Sequence, residues 1–229
     1  MSSVKSDRMY EKATICMSKR FKQKYYDLFS RIYDQFVALH SHDREGKLRQ
    51  VFTDTVKLRR GAVVLDLCTG TGALLPGLIS ETGEKGLVFG LDFSNGMLRR
   101  AGLKLNASPN LLLVQADAAA LPFQSNVFDA VTCSHAFYEL DKDASHRCLN
   151  EVVRILHARG RFLMMEHDVP KNRLVRVLFY MRIFLMGRKR ALQVLKDEEG
   201  FFRLYFDSVE KVLLSAGRSK VVIAGKQQD

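Results

Sequence analysis

The chain has 229 residues, a formal net charge of +11 at neutral pH and 47% hydrophobic residues. With only 15 glycines and 4 prolines, this composition excludes a disordered or fibrous protein and suffices for a large domain with a buried core. Residues 1–60 and 171–229 each carry +7 while residues 61–170 carry −3, which is not the even basic charge of a nucleic-acid coat protein.

The first sixty residues have the spacing of amphipathic helices. Apolar side chains between 21 and 37 recur at the 3.6-residue period, with charged residues between them. A polar break at 40–43 precedes a second helix, predicted over about 44–58. The sequence therefore predicts a helical region over 1–60 and a second domain over 61–229.

From residue 61 onward, short apolar runs alternate with helical segments. The predicted strands are 62–67, 86–92, 111–115, 128–133 and 161–166. Helices are predicted over about 94–105 and 143–157. Strands that alternate with helices indicate βαβ units, so we predict an α/β fold with a parallel sheet covered by helices on both faces.

Polar residues stand at the ends of the predicted strands, where open parallel sheets bind their ligands. Asp66, Asp92 and Asp117 close the first three strands. The glycine loop at 68–72 lacks the third glycine of GxGxxG and the Gly-Lys-Ser/Thr of a Walker loop. A carboxylate at the start of the loop disfavours a pyrophosphate, so the pattern favours a cationic, adenosine-like ligand.

Four stretches in this order resemble the motifs of class I S-adenosylmethionine-dependent methyltransferases. They are VLDLCTGTG at 64–72, GLDFSNGML at 90–98, DAAALPF at 117–123 and EVVRIL at 151–156. Within that superfamily the chain is most similar to the ubiquinone/menaquinone biosynthesis C-methyltransferases. The resemblance implies a Rossmann-like, mostly parallel sheet, N-terminal helices that act as a lid, and a helical lid insertion over about 169–200.

The resemblance also implies which residues bind S-adenosylmethionine. They are Asp66, Cys68, Thr69, Gly70, Gly72, Asp92, Phe93, Met97, Asp117, Ala118 and Ser134. Asp66 would orient the ammonium group, Asp92 would accept from the ribose diol and Asp117 from the adenine amino group. Gly70 and Gly72 would let the backbone approach the methionine part. Cys68 stands where the family usually has glycine, a departure that an ordinary backbone angle would accommodate.

The acceptor side is less specified. His135, Tyr138 and His167 follow the fourth and fifth strands and are the candidate catalytic residues, with histidine suited to general base work near neutral pH. The alternative is that the histidines only cap a helix or bind a backbone carbonyl. The stretch 134–140 lacks the Asn or Arg expected in quinone C-methyltransferases. The apolar segment 169–196 is either a lid that covers a hydrophobic or aromatic acceptor, or a core helix of the domain.

The carboxy-terminal pattern departs from the family. The sequence predicts a helix over 208–216 and a strand over 219–224, so one sheet strand is missing unless 201–206 supplies it.

Other features bear on compartment and partners. The four cysteines form no CxxC pair and have no metal-ligand spacing, and no signal peptide or membrane span is visible, so we expect a cytoplasmic protein without a metal. The basic flanks predict either an acceptor met at an anionic membrane surface or an acidic substrate, with basic side chains clustered on the lid side. The sequence does not determine the oligomeric state.

Three functions follow from these patterns. The first is methyl transfer to a small, hydrophobic or aromatic, quinone-like acceptor. The second is an RNA or protein methyltransferase that uses the basic flanks, although the Asn/Asp-Pro-Pro-Tyr motif of base-methylating enzymes is absent and argues against nucleic acid. The third is a non-catalytic protein that keeps the cofactor fold.

Overall fold

The structure is a computed structural model, and it describes residues 23–28, 30–31, 33, 47–105, 108–167, 197–214 and 219–226. The predicted polar break at 40–43, the lid or core helix at 169–196 and most of the basic flanks lie outside these residues. So does the side chain of His167. Within the described residues, no helix combines the length and the apolar character needed to cross a bilayer.

A seven-stranded sheet of order β3-β2-β1-β4-β5-β7-β6 forms the centre of the described residues. The strands are β1 (Val63–Leu67), β2 (Leu87–Asp92), β3 (Leu111–Gln115), β4 (Phe128–Ser134), β5 (Leu156–His167), β6 (Ser208–Leu213) and β7 (Ser219–Gly225). Strands β1 to β5 pair with one another in parallel, and β7 is antiparallel to both β5 and β6. The predicted α/β class with a mostly parallel sheet is confirmed.

The helices follow the strands as the alternating pattern predicts. Those described are α1 (Lys47–Val56), α2 (Leu75–Thr82), α3 (Asn95–Lys104), α4 (Lys142–Ile155) and α5 (Glu198–Arg203), with a 3-10 turn at Phe137–Glu139. Ser94 and Asp141 cap α3 and α4, because their side chains accept hydrogen bonds from backbone N–H groups of the first turn. The caps fix where each helix leaves its strand end.

The strand predicted over 219–224 is confirmed as β7, whereas the helix predicted over 208–216 was wrong. Residues 208–213 form the edge strand β6, whereas 201–206 lie in α5 and the turn after it, so the strand thought missing is present. Val209 and Val212 are three residues apart, as on a helix face, but they pair with Ala224 and Val221 of β7. Pairing with β6 satisfies backbone groups of the buried strand β7, and that tertiary requirement outweighs the local pattern.

The predicted start of the fifth strand also differs from the structure. Helix α4 ends at Ile155 and β5 begins at Leu156, five residues before the predicted strand. The register is irregular here, because Phe128 pairs with Leu156 whereas Ala130 pairs with Arg161. The extra residues of β5 form a bulged start, and this irregular stretch has no alternating pattern that a sequence reading would detect.

Apolar side chains fill both faces of the sheet. One face packs against α4 and α5 through a cluster that includes Phe128, Phe162 and Phe202, all fully buried. The other face packs against α1 and α2 through Phe52 and Leu75. Because helices cover both faces of the sheet, the ends of the strands are the part where a ligand can bind.

Gly72 allows a close approach that only glycine permits, and this gives a test of the fold. Its φ is +77°, and an added Cβ would lie 3.0 Å from Ala101 Cβ and 3.1 Å from Leu75 Cδ1. Gly72→Ala should therefore lower the free energy of unfolding by about 2 kcal/mol in urea denaturation.

Gly102→Ala is the matched control in α3. Its added Cβ would lie 3.5 Å from Leu113 Cδ1, an ordinary contact. We expect it to raise the free energy of unfolding by about 0.5–1 kcal/mol, because alanine is the better helix former. Equal effects of the two substitutions would contradict the packing assigned to Gly72.

Candidate active site

The candidate site lies at the carboxyl ends of β2, β1, β4 and β5, which are adjacent in the sheet. Strand order reverses between β1 and β4, the position where open α/β sheets form a crevice. Asp66, Asp92, Ser134 and Glu166 lie at or near these strand ends. The structure thus brings polar groups from four strands to one edge.

The loop over 68–72 connects β1 to α2 and is held by backbone hydrogen bonds. Thr69 N–H donates to Leu91 O at 2.9 Å, and Gly72 N–H donates to Thr69 O at 3.0 Å. Gly70 N–H donates to Asp92 Oδ2 at 2.9 Å. Two of these bonds reach the end of β2, so the loop is fixed across both strands.

An ordinary backbone angle at Cys68 would let cysteine replace the family's glycine. Cys68 does not have that angle. Its φ is +54°, in the left-handed region that glycine adopts freely and that costs other residues of order 1 kcal/mol. A hydrogen bond links the Cys68 side chain to the Cys133 thiol on β4. That bond and burial raise the pKa of Cys133 well above its ordinary value, so the Cys133 thiol stays protonated.

Asp66 is a buried carboxyl group held by two threonines. Thr69 Oγ1 donates to Asp66 Oδ2 at 2.6 Å, and Thr132 Oγ1 donates to Oδ1 at 2.8 Å. Burial raises the pKa of Asp66 to about 6, against the lowering effect of the two hydroxyls, and repulsion from Asp92 adds to the rise. A positive charge nearby would favour the ionised form.

Asp92 organises the next strand end. Besides Gly70 N–H on Oδ2, its Oδ1 accepts from Ser94 N–H at 2.9 Å. Burial raises the pKa of Asp92 above its ordinary value even though these backbone donors lower it. Asp66 and Asp92 are thus two neighbouring carboxyl groups whose ionisation burial disfavours, and a cationic ligand is the natural complement of such a pair.

The remaining predicted cofactor residues surround this centre. Phe93 O accepts from Gln115 Nε2 at 3.2 Å, and Asp117 Oδ1 accepts from Ala119 N–H at 2.9 Å. Ala118 and Met97 are buried. Phe93 follows β2 and Ala118 lies after β3, and these two strands are adjacent in the sheet.

S-adenosylmethionine fits the carboxyl groups and the loop described above. A Cβ on Gly70 would meet no atom within 4 Å, so open space lies over the loop beside the Asp92 carboxyl group. Two carboxyl groups suit an ammonium group and a ribose diol. Gly72 faces Ala101 and Leu75 of the protein, so this packing and its positive φ account for the glycine there.

The candidate acceptor side lies next to this centre, beyond β4 and β5. His135 has a φ of +54°, its N–H donates to Met165 O at 2.9 Å, and its Nδ1 lies 3.8 Å from Glu166 Oε2. Tyr138 lies in the 3-10 turn and its hydroxyl donates to Glu198. His167 pairs with Ser219 in the backbone register, at the end of β5.

Three groups at this side escaped the sequence analysis. Lys220 on β7 is 1% exposed, and its Nζ lies 2.7 Å from Glu198 Oε2 on α5. Glu166 ends the predicted strand 161–166 and is not among the candidate catalytic residues. A lysine directly before the apolar run at 221–224 was the one available signal.

The described part of the amino-terminal region contacts the same edge. Asp27 Oδ1 accepts from Ser94 Oγ at 2.6 Å and from Gly96 N–H at 2.8 Å. Tyr26 packs edge-on against Phe93, with ring centroids 5.5 Å apart, and its hydroxyl donates to Glu139. These contacts bridge the candidate cofactor side and the candidate acceptor side.

Comparison with known sequences identifies relatives. The ubiE/COQ5 methyltransferase family matches residues 15–212. A demethylmenaquinone methyltransferase of Lactobacillus johnsonii is 34% identical over 158 residues, which cover 66% of this chain and 64% of that protein. The ubiquinone/menaquinone biosynthesis C-methyltransferase UbiE of Shewanella frigidimarina is 31% identical over 175 residues, 71% of this chain and 68% of that protein. The chain thus spans slightly less than two thirds of the first relative's length.

Solved structures share the fold. A methyltransferase of Haloferax volcanii, in complex with the Trm112 activator, has a TM-score of 0.68 at 19% identity, covering 89% of this chain and 98% of that one. An S-adenosylmethionine-dependent methyltransferase of Aquifex aeolicus has a TM-score of 0.59 at 19% identity, with coverage of 83% and 96%. The predicted class I methyltransferase fold is confirmed.

The raised pKa of Asp66 predicts a pH-dependent stability without cofactor. The folded protein keeps the proton up to about pH 6, whereas the unfolded chain releases it near 3.8. The Asp66 contribution is complete below pH 3.8 and is lost as the pH rises to about 6. Urea unfolding between pH 4 and 6 should show this decline, and Asp66→Asn should reduce it.

Asp54→Asn, at an exposed position of α1, is the matched control for this measurement. A decline that Asp66→Asn leaves as steep as in the wild-type protein would contradict the burial of an ionisable group at this position.

Proposed function

Because the chain belongs to the ubiE/COQ5 methyltransferase family, we propose that it transfers a methyl group from S-adenosylmethionine to a small, hydrophobic, quinone-like acceptor. The observation that carries this proposal is the pair of buried carboxyl groups, Asp66 and Asp92, on either side of the open loop at Gly70. S-adenosylmethionine is the cofactor of this family, and when bound it supplies an electrophilic methyl group on a sulfonium.

In this proposal the chain's residues first bind and orient the cofactor. Asp66 attracts the ammonium end, and Asp92 accepts from the ribose diol while holding the loop through Gly70 N–H. Phe93 and Ala118 flank the adenine, and Asp117 accepts from its amino group. Cys68, Thr69, Gly72, Met97 and Ser134 complete the surrounding wall.

Methyl transfer is an in-line displacement, so holding the acceptor in line accounts for much of the rate. An acceptor that must lose a proton also needs a base. We assign that task to His135, with Tyr138 and His167 beside it at the same edge. His135 is suited to it because it is partly exposed and its Nδ1 faces a buried carboxyl group.

The acceptor class rests on the relatives. The names of the Lactobacillus johnsonii and Shewanella frigidimarina proteins refer to menaquinone and ubiquinone biosynthesis. Those names give no support to the alternative of RNA or protein methylation. A quinone-like acceptor partitions into membranes, so we extend the proposal to a cytoplasmic enzyme that meets its acceptor at an anionic membrane surface through the basic flanks.

Transfer of labelled methyl from S-adenosylmethionine tests the proposal. Demethylated naphthoquinols, simple phenols, small acids, bulk RNA and a protein extract would be offered in parallel. We expect label on the quinols and phenols, and a loss of at least a hundredfold in Asp92→Asn, because that change removes one charge and one acceptor from the cofactor side.

The matched control is Asp129→Asn, which alters a carboxylate near the amino end of β4. There Oδ2 accepts from Val63 N–H and Oδ1 pairs with Arg59. This variant should retain activity, since the altered group lies away from the site. Label in RNA or protein alone, or in none of the substrates, would refute the proposed acceptor class.

A further inference from the structure

Glu166 is a buried carboxyl group with an unused oxygen. It lies near the carboxyl end of β5 and is 5% exposed. Among the described residues, no hydrogen-bond donor reaches its Oε1. Leaving a polar atom buried without a partner costs stability, so such atoms in folded proteins call for a functional explanation.

Charges around Glu166 disfavour its ionised form. Burial has the largest effect, and Glu139 of the 3-10 turn and Glu198 of α5 add repulsion. The Tyr138 backbone N–H and Lys220 of β7 act in the opposite direction. The outcome is a Glu166 pKa raised to about 8.

Lys220 cannot fully compensate Glu166 because it is already engaged. The two residues face each other in the register of β5 and β7, yet Lys220 Nζ lies 2.7 Å from Glu198 Oε2. Glu198 also accepts from the Tyr138 hydroxyl. Glu198 Oε2 also lies 3.8 Å from Lys211 Nζ on β6, so two lysines share this carboxylate. Lys220 lowers the pKa of Glu166, but burial outweighs that effect.

His135 is the group through which Glu166 can act. Its Nδ1 lies 3.8 Å from Glu166 Oε2, and the positive φ and the bond from its N–H to Met165 O fix the residue at this strand end. The His135 side chain is 26% exposed while that of Glu166 is 6% exposed. The imidazole therefore stands between the buried carboxyl group and the open side.

We infer that His135 and Glu166 form one proton-accepting pair, in which Glu166 is a positioning residue that sets the proton affinity of His135 for an acceptor hydroxyl group. This inference rests on the proposed function. It names the acceptor chemistry as a hydroxylated aromatic ring, and it assigns the fate of the proton that methyl transfer must release.

The acceptor hydroxyl gives its proton to the neutral His135 ring, and the Glu166 carboxylate balances the new imidazolium charge. The phenolate electrons form the bond to the methyl carbon, at oxygen or at a ring carbon, while the electrons of the broken sulfur–carbon bond stay on sulfur. If a ring carbon is methylated, its proton moves to the oxygen. One proton then passes from the pair to solvent.

His135 and Glu166 can take the proton of the acceptor hydroxyl group only when neither of them already carries one. Burial raises the pKa of Glu166 to about 8, and its Oε2 lies 3.8 Å from His135 Nδ1, so in this proposal the two groups titrate together and hold one proton up to about pH 8. The rate with a hydroxylated acceptor should therefore rise as the pH increases through about 8. A lone histidine would instead give a rise near 6.5.

The test begins on the unloaded protein with histidine-labelled NMR. The His135 resonance, assigned by its loss in His135→Gln, should show an inflection near pH 8 that disappears in Glu166→Gln. Glu139→Gln should move the inflection to lower pH, because it removes a repelling charge, and Glu84→Gln, exposed after α2, is the control. An inflection that Glu166→Gln leaves unchanged would overturn the inference.

Kinetics provide the second readout. In Glu166→Gln, the rise in kcat/KM should move from about pH 8 toward 6.5, with kcat at pH 8 reduced about tenfold and KM little changed. A profile that keeps its rise near 8 would also overturn the inference. Failure to bind S-adenosylmethionine would refute the proposed function instead, and it is detected separately from the histidine titration.

Discussion

The hydrogen bond from Gly70 N–H to Asp92 Oδ2 is the contact on which the candidate site depends. It joins the loop after β1 to the end of β2, and it can form only if the loop turns sharply enough to aim an amide at the carboxyl group. That turn requires positive φ angles at Cys68 and Gly70. The strained backbone of Cys68, the open space at Gly70 and the buried carboxyl group of Asp92 therefore belong to one arrangement.

The site keeps ionisable groups where burial penalises their charge. Asp66 and Asp92 at the cofactor side, and Glu166 at the acceptor side, all have raised pKa values, chiefly because of desolvation. In the first two, a cationic ligand can restore the ionised form. In the third, the same penalty keeps a proton available for exchange. One physical effect therefore serves two purposes, at some loss of stability in the unliganded protein.

Most of the fold, and the placement of two carboxyl groups at one edge of the sheet, could be predicted from the sequence, because both depend on local patterns. Asp66 and Asp92 end apolar runs, and strand ends in a parallel sheet share one edge. The ion pair of Lys220 and Glu198 could not be predicted, since it depends on which strand pairs with β5 and on where α5 packs. Strand β6 lies where the sequence predicts a helix over 208–216, because pairing with β7 decides its structure.

The central claim is that buried carboxyl groups hold a cationic cofactor, and isothermal titration with S-adenosylmethionine between pH 5 and 8 tests it most directly. Protons compete with the cofactor for Asp66, whose pKa is about 6 without ligand. The account predicts that affinity is constant above about pH 7 and weakens as the pH falls below 6. An affinity that stays constant or increases toward pH 5, or no binding at millimolar cofactor, would contradict it.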